Sequence, residues 1–257
     1  MKIYGYVPAR MAATRFPGKP LKLIKGKTML EHVFERAKLF KNWTSLSVAT
    51  CDLEIKRFSI VKGYNCVMTS KKHKRCLDRV FEAVNKQHKK NLKKNDIIVC
   101  VQGDEPLLKP QMISAVVKSV SKNKKFGASV LAMEIFDRSQ FFNPDIVKIV
   151  HDLNGKVLYT SRSPIPYCKK FSKKIKAKRI GGIFAFKYHF LKKYYYLKPS
   201  PLEIYEACDT NRICDNGGGI YIAPIKFSNY LSVDSPSDLT KVNKTIIKDN
   251  IWKKYKF

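Results

Sequence analysis

Short apolar runs alternate with amphipathic stretches through the first half of this chain. Ile3–Val7 is an apolar run of strand length. From Thr28 to Phe40, Met29, Leu30, Val33, Ala37 and Phe40 recur at helical spacing and give one apolar face. Leu46–Thr50 predicts a second strand, Glu54 to Lys62 a helix, Cys66–Thr69 a third strand and Asp78 to Gln87 a helix. Asp96–Gln102 is almost wholly apolar, the signature of a strand buried on both faces, and Gln111 to Val120 predicts the helix after it. Strands alternating with helices imply a doubly wound, mainly parallel α/β sheet.

After Phe126 the rhythm changes. Ala128–Ile135, Val147–His151 and Val157–Ser161 read as antiparallel strands, and Ser163 to Lys178 as a loop rich in proline and lysine. Ile183–Phe186 predicts a strand, Tyr188–Tyr195 a short helix and Pro201–Arg212 a longer one. Tyr221–Pro224 reads as a returning strand, and Pro236 to Asp249 as a closing helix. With no internal repeat and no long linker, residues 1–257 form one domain, with an inserted mixed or antiparallel subdomain over approximately 157–212.

Composition narrows the class. The 257 residues are 44% hydrophobic and 28% charged, enough apolar content for a sizeable core. No apolar run has the length of a membrane span, and the N-terminal run is too short for a signal peptide, so a cytoplasmic protein is expected. The seven cysteines are odd in number and contain no CxxC pair, which argues against a disulfide framework or zinc ribbon. Cys66 and Cys100 lie in apolar stretches and read as core residues. The net charge of +31 invites a nucleic-acid partner, but the lysines are spread along the whole length and belong to no base-reading module. They read as solvated faces whose field draws anions toward any cleft.

Candidate chemistry begins at the end of the first strand. Arg10, Arg15 and Lys19 stand in a loop stiffened by Pro8, Pro17, Gly18 and Pro20. Fixed cations and backbone N–H groups in such a loop suit a polyphosphate, although an ordinary basic surface loop has the same composition. Asp104 ends the most apolar strand, in Gly103-Asp104-Glu105-Pro106, and Asp234 lies at another strand end before Ser235-Pro236. Two carboxylates at strand ends can share a hard cation such as Mg²⁺ beside a triphosphate. Asp234 equally suits a helix N-cap and Asp104 a turn. His73 and Cys76 have a His-x-x-Cys spacing but no second ligand pair nearby, so a polar contact at a site rim is preferred to zinc.

These segments, in this order, resemble the 3-deoxy-manno-octulosonate (Kdo) cytidylyltransferases, the CMP-Kdo synthetases, within the sugar nucleotidyltransferases. The resemblance runs almost end to end. It rests on Pro8-Ala9-Arg10, Thr14 to Leu21, Val48-Ala49-Thr50, Val101 to Pro106, Phe142-Asn143-Pro144 with Val147-Lys148, Ser161 to Pro166, Ser200 to Glu203 and Val233 to Leu239. It implies a Rossmann-like nucleotidyltransferase fold and a reaction of CTP with an acidic sugar to give a CMP-sugar for surface polysaccharide and pyrophosphate. It further implies that Arg10, Arg15 and Lys19 hold the CTP phosphates, and that Ala9, Thr50 and Gln102 line the cytosine and ribose site. Asp104 and Asp234 would hold Mg²⁺, and Lys19, Arg10 and Asp104 would carry the catalysis. His73, Arg79, Arg162 and Asp209 would contact the sugar, and a homodimer would form through the inserted subdomain. No nucleic acid and no membrane are expected as partners.

The sugar half departs from the family pattern. A Gly-Thr of its turn is Cys76-Leu77 here, so that turn is expected to become helix. A His and a Tyr align with Ile180 and Phe184, a Glu-Gln pair with Asp209-Thr210, and an Asn with Asp145. Losing hydroxyl partners from a polyol site lowers affinity, which leaves open another ulosonic acid or a phosphonate as acceptor. A binding protein that has lost turnover is a further alternative, opposed by Arg10, Lys19, Asp104 and Asp234.

Overall fold

The computed structural model describes residues 1–12, 15–122, 127–226 and 230–255. Ala13 and Thr14 of the basic loop, and Phe126, where the rhythm changes, lie outside them. The elements in chain order are β1 (Ile3–Ala9), β2 (Leu23–Ile24), β3 (Lys27–Thr28), α1 (Met29–Lys38), β4 (Ser45–Thr50), α2 (Leu53–Val61), β5 (Cys66–Met68), α3 (Cys76–His88), β6 (Ile97–Val101) and α4 (Pro110–Lys122). There follow β7 (Ala128–Glu134), α5 (Arg138–Phe142), β8 (Lys148–His151), β9 (Val157–Ser161), β10 (Lys178–Lys187), α6 (Tyr188–Tyr196), α7 (Pro201–Glu206), α8 (Asp209–Asp215), β11 (Ile220–Ile225) and α9 (Pro236–Thr245).

Among the described residues nine strands form one sheet with the path β11-β7-β10-β6-β1-β4-β5, to which β8 and β9 are joined through β10. β1 pairs in parallel with β4 and with β6, and β4 with β5. β10 runs antiparallel between β6 and β7. The apolar run of β6 is buried at every position and lies in mid-sheet, as its composition requires. Alternate strand positions feed two cores. Val7, Val48, Val99 and Ile183 face α1 and α4, whereas Tyr4, Tyr6, Cys100 and Phe184 face α3 and α6. Helices on both faces of a largely parallel sheet make this the expected doubly wound α/β architecture.

Four expectations are corrected. Ala128–Ile135 is not simply antiparallel: β7 pairs antiparallel with β10 but parallel with β11. The strand expected at Ile183–Phe186 begins five residues earlier, at Lys178, because backbone pairing with β7 and β8 carries it through a polar and glycine stretch. The helix expected over Pro201–Arg212 is broken at Ala207, which adopts φ 52° and caps α7 with its N–H on the Glu203 carbonyl. The closing helix is α-helical only to Thr245 and then tightens into a 3₁₀ turn over Ile246–Lys248. α3 starts at Cys76, so the turn departing from the family pattern is indeed taken into helix. Within residues 157–212, β10 belongs to the central sheet, while β9, α7 and α8 pack beside it.

Candidate active site

The carboxyl ends of β1 and β6 meet at one edge of the sheet. There Gly103 passes so close to β1 that a Cβ would stand 2.8 Å from the Pro8 carbonyl oxygen. The basic loop leaves β1 at this point. Gly18, with φ 69°, closes it by donating its N–H to the Met11 carbonyl at 3.0 Å, and the Met11 N–H bonds Asp52 Oδ2 at 2.8 Å. That left-handed turn favours glycine and turns Lys19 inward.

Lys19 Nζ is the hub. It donates to Asp104 Oδ2 and to the Val233 carbonyl, each at 2.9 Å, and stands 3.6 Å from Asp234 Oδ1. Burial works against its charge, but the Asp104 and Asp234 carboxylates outweigh it and raise its pKa. The Asp234 carboxyl is pushed up by burial and by Asp104, against Lys19 and Arg15. Asp104 Oδ1 is buried with no hydrogen-bond partner. Arg15 bonds Asp145 with one Nη and Asp234 with the other, the latter at 2.9 Å. Arg10 is exposed at the mouth and makes no ion pair among the described residues.

Two connected cavities, of about 610 and 520 Å³, open at this edge. Arg15, Gln102, Asp104, Asp145, Arg162 and Asp234 line both. The first also has Ala9, Arg10, Lys19, His73, Arg79 and Asp209 in its wall. The structure thus brings together every candidate residue except Thr50, which is fully buried and accepts the Asp52 N–H on its hydroxyl. His73 Nε2 bonds Glu82. Arg79 is buried, bonds Thr69 Oγ1 at 2.5 Å, and has no carboxylate within ion-pair distance among the described residues. Burial pushes the Asp209 carboxyl up, against Cys76 and Arg75. Asp209 accepts from the Cys76 thiol at 3.1 Å and the Leu77 N–H at 3.3 Å.

Of the residues that depart from the family pattern, Ile180 lines the second cavity, whereas Phe184 and Thr210 are buried, Phe184 in the core and Thr210 against Thr160. Arg162 follows β9. Its N–H bonds Glu206 Oε2 at 2.8 Å, its Nε the Glu206 carbonyl at 2.9 Å, and its Nη1 the Pro144 carbonyl at 2.9 Å.

Several groups that build these walls carry no role in the sequence-based expectations. Glu105 is buried under the second cavity, accepting the Gly182 N–H at 2.8 Å and the Ser232 hydroxyl at 3.0 Å. Burial and the neighbouring Asp104 charge push it up to about 7. A register shift in β10 between Ile180 and Phe184 turns Gly182 toward it, and a Cβ there would overlap the Glu105 carboxylate. Lys148, 0% exposed, donates to the carbonyls of Asn143 at 2.8 Å, Ile146 at 2.7 Å and Arg162 at 2.5 Å. A lysine within the apolar run Val147-Lys148-Ile149 was the available signal for a buried cation. Arg212 bridges Asp78, at 2.9 and 3.2 Å, and Glu203, at 2.7 Å to each oxygen, and so ties α3 to α7 and α8 behind the first cavity.

An open α/β sheet with a basic loop and converging carboxylates at its strand ends is the arrangement of a nucleotide-handling enzyme. The chain belongs to the cytidylyltransferase family, whose pattern it matches over residues 5–223. It is 39% identical to a 3-deoxy-manno-octulosonate cytidylyltransferase of Thermodesulfovibrio yellowstonii over 93% of this chain and 96% of that one. It is 36% identical to the protein of that name from Fusobacterium nucleatum over 98% and 99%. Its fold superposes on a CMP:2-keto-3-deoxy-manno-octonic acid synthetase complexed with CTP, with a TM-score of 0.85 and 29% identity, covering 96% of this chain and 99% of that one.

Proposed function

We propose that this enzyme transfers the cytidylyl group of CTP to the anomeric hydroxyl of Kdo, giving CMP-Kdo and pyrophosphate for surface polysaccharide. One observation carries the reading: Arg10, Arg15 and Lys19 converge with Asp104 and Asp234 where two cavities join. The relatives that match nearly end to end bear this activity in their names.

In this reading the first cavity takes CTP, and its phosphates run along Arg10, Arg15 and Lys19. Ala9 and Gln102 border the nucleoside, and Arg79, without an ion pair among the described residues, is kept for the acidic sugar. The acceptor enters the second cavity past Arg162, with His73 and Asp209 on the far wall of the shared cleft. The anomeric oxygen forms a bond to the α-phosphorus as the bond to the β-phosphate breaks. Pyrophosphate leaves, and the hydroxyl proton passes to solvent. The protein contributes positioning and fixed charge rather than a covalent intermediate.

Asp104 and Asp234 would hold Mg²⁺. The donor set fits a hard cation, because both ligands are carboxylates and Asp104 Oδ1 is a buried acceptor without a donor. The described residues place no third His, Cys, Asp or Glu there, so phosphate oxygens and water would complete the shell. Bound there, Mg²⁺ would neutralise charge on the leaving pyrophosphate.

Homodimer formation through residues 157–212 belongs to the same reading, supported by exposed Leu158, Ile204 and Tyr205 on β9 and α7. No helix among the described residues is long and apolar enough to cross a membrane, which agrees with work in the cytoplasm.

The test is pyrophosphate release with CTP and Mg²⁺ against Kdo, other ulosonic acids and phosphonates. Turnover with Kdo supports the reading. Turnover only with another acid would retain the chemistry and assign a changed specificity to Ile180, which faces the acceptor cavity. No turnover with any acid would overturn it.

A further inference from the structure

We propose that Arg179 is a second anchor for the acceptor's carboxylate, acting with Arg162 in the second cavity. The inference rests on the functional reading above and extends it to a residue outside the family resemblance.

Arg179 lies on β10, paired with Lys148 of β8. It is 8% exposed and lines the second cavity. Its Nη2 donates to the Tyr230 carbonyl at 3.1 Å, and its guanidinium lies 5.6 Å from the centroid of the Tyr230 ring. Among the described residues it forms no other hydrogen bond and no ion pair. Glu105 is the carboxylate whose charge it feels, with no bond between them. A guanidinium carries five N–H donors, and buried donors left without acceptors are costly.

Every carboxylate of this cavity already holds a partner on at least one oxygen, Asp104 through Lys19. Asp137 caps α5 through the Gln140 N–H at 2.8 Å, and Asp238 accepts the Ser235 N–H at 3.1 Å in the capping box of α9. Asp145 and Asp234 take Arg15. Glu105 has one oxygen on the Gly182 N–H and the other on the Ser232 hydroxyl. The Arg162 guanidinium bonds only main-chain oxygens. Two guanidiniums therefore face the cavity with no carboxylate hydrogen-bonded to either.

The ligand chemistry that meets this demand is a carboxylate. In a 2-ulosonic acid the carboxylate and the anomeric hydroxyl are on the same carbon. Gripping the carboxylate in a guanidinium fork aims the hydroxyl toward the wall shared with the CTP cavity. It also offsets the repulsion between an anionic acceptor and a triphosphate.

The experiment compares wild type, Arg179→Met and Arg179→Lys by pyrophosphate release, using CTP with Kdo and with the C1 amide of Kdo. Arg179→Met is expected to raise the KM for Kdo about thirtyfold, to leave the KM for CTP within about twofold, and to shrink the preference for acid over amide about tenfold. Arg179→Lys keeps the charge and should recover part of that preference, and it serves as the test if the methionine variant does not fold. An equal loss with acid and amide, or an unchanged preference in either variant beside an active wild type, would overturn the role of Arg179 alone. A wild type that releases no pyrophosphate with any acid would overturn this inference together with the functional reading.

Discussion

Lys19 Nζ stands 2.9 Å from Asp104 Oδ2 and 3.6 Å from Asp234 Oδ1, so a side-chain cation bridges the two carboxylates that close the site. The same contact raises the Lys19 pKa, which keeps the side chain charged where the proposed function puts the CTP phosphates. Asp104→Asn keeps the shape and removes the charge from one pole of this pair. Turnover dependent on Mg²⁺ should fall by about 10²–10³-fold, the range seen when one charge-stabilising group is removed, with little change in Tm. The check is a pyrophosphate assay across a Mg²⁺ titration beside a thermal melt. Unchanged turnover would remove Asp104 from the metal site.

Arg162 is fixed by Glu206 and Pro144 at the boundary of the two cavities. Arg162→Ala should raise the acceptor KM by tenfold or more, about 1.4 kcal/mol or above, and alter the CTP KM far less. Equal effects on both substrates would move Arg162 out of the acceptor site.

Much of this was legible in the chain. The almost wholly apolar run at Asp96–Gln102 announced a mid-sheet strand, and its exit into Gly103-Asp104 set the place of the site. The basic loop could be read because proline and glycine fix its turns. The break at Ala207 could not be read, because alanine is the strongest helix former and nothing local forbids a continuous helix. Tertiary partners decide it. Glu206 is drawn to Tyr159, Ser161 and Arg162, while Thr210 and Asn211 bond Thr160. Arg179 and Glu105 were hidden for the same reason, since their meaning depends on a register shift in β10 that no periodicity encodes.

Ala207 itself offers a test. Its φ of 52° is strained for a residue with a Cβ. Ala207→Gly relieves that strain but frees the unfolded chain, leaving a net gain of roughly 0.5–1 kcal/mol. Denaturant titration should show a higher midpoint with an unchanged slope. A lower midpoint would mean that the Ala207 methyl contributes packing that outweighs the strain.

Glu105 predicts a pH dependence of stability. Burial and Asp104 hold its carboxyl at about 7, above the usual value of 4.5. A raised acid favours the fold fully below the unfolded value, and that contribution is lost as pH rises through the folded value. Stability should therefore decline between pH 5 and pH 8. Glu105→Gln keeps the shape and removes the titration, so it should flatten the decline by on the order of 2 kcal/mol. Melting curves of both proteins across that range decide the matter, and parallel curves would show that another group is responsible.

Lys148 makes the opposite case. Burial, with Arg162 adding to it, depresses its pKa to about 8, below the usual 10.5. The buried charge therefore weighs against the fold at neutral pH, and that penalty is relieved as pH rises from 8 toward 10.5. Charged, however, it supplies a proton to each of three carbonyls, and two of these belong to the loop that carries Asp145. Losing one proton leaves two donors for three acceptors. Wild-type acceptor KM should thus rise above pH 8, even as the charge penalty on the fold declines. Lys148→Met strands all three carbonyls. It should raise the acceptor KM about tenfold at pH 7 and abolish its rise at alkaline pH, while the CTP KM stays near the wild-type value. A KM profile against pH for both substrates separates this from general destabilisation, which would shift both together.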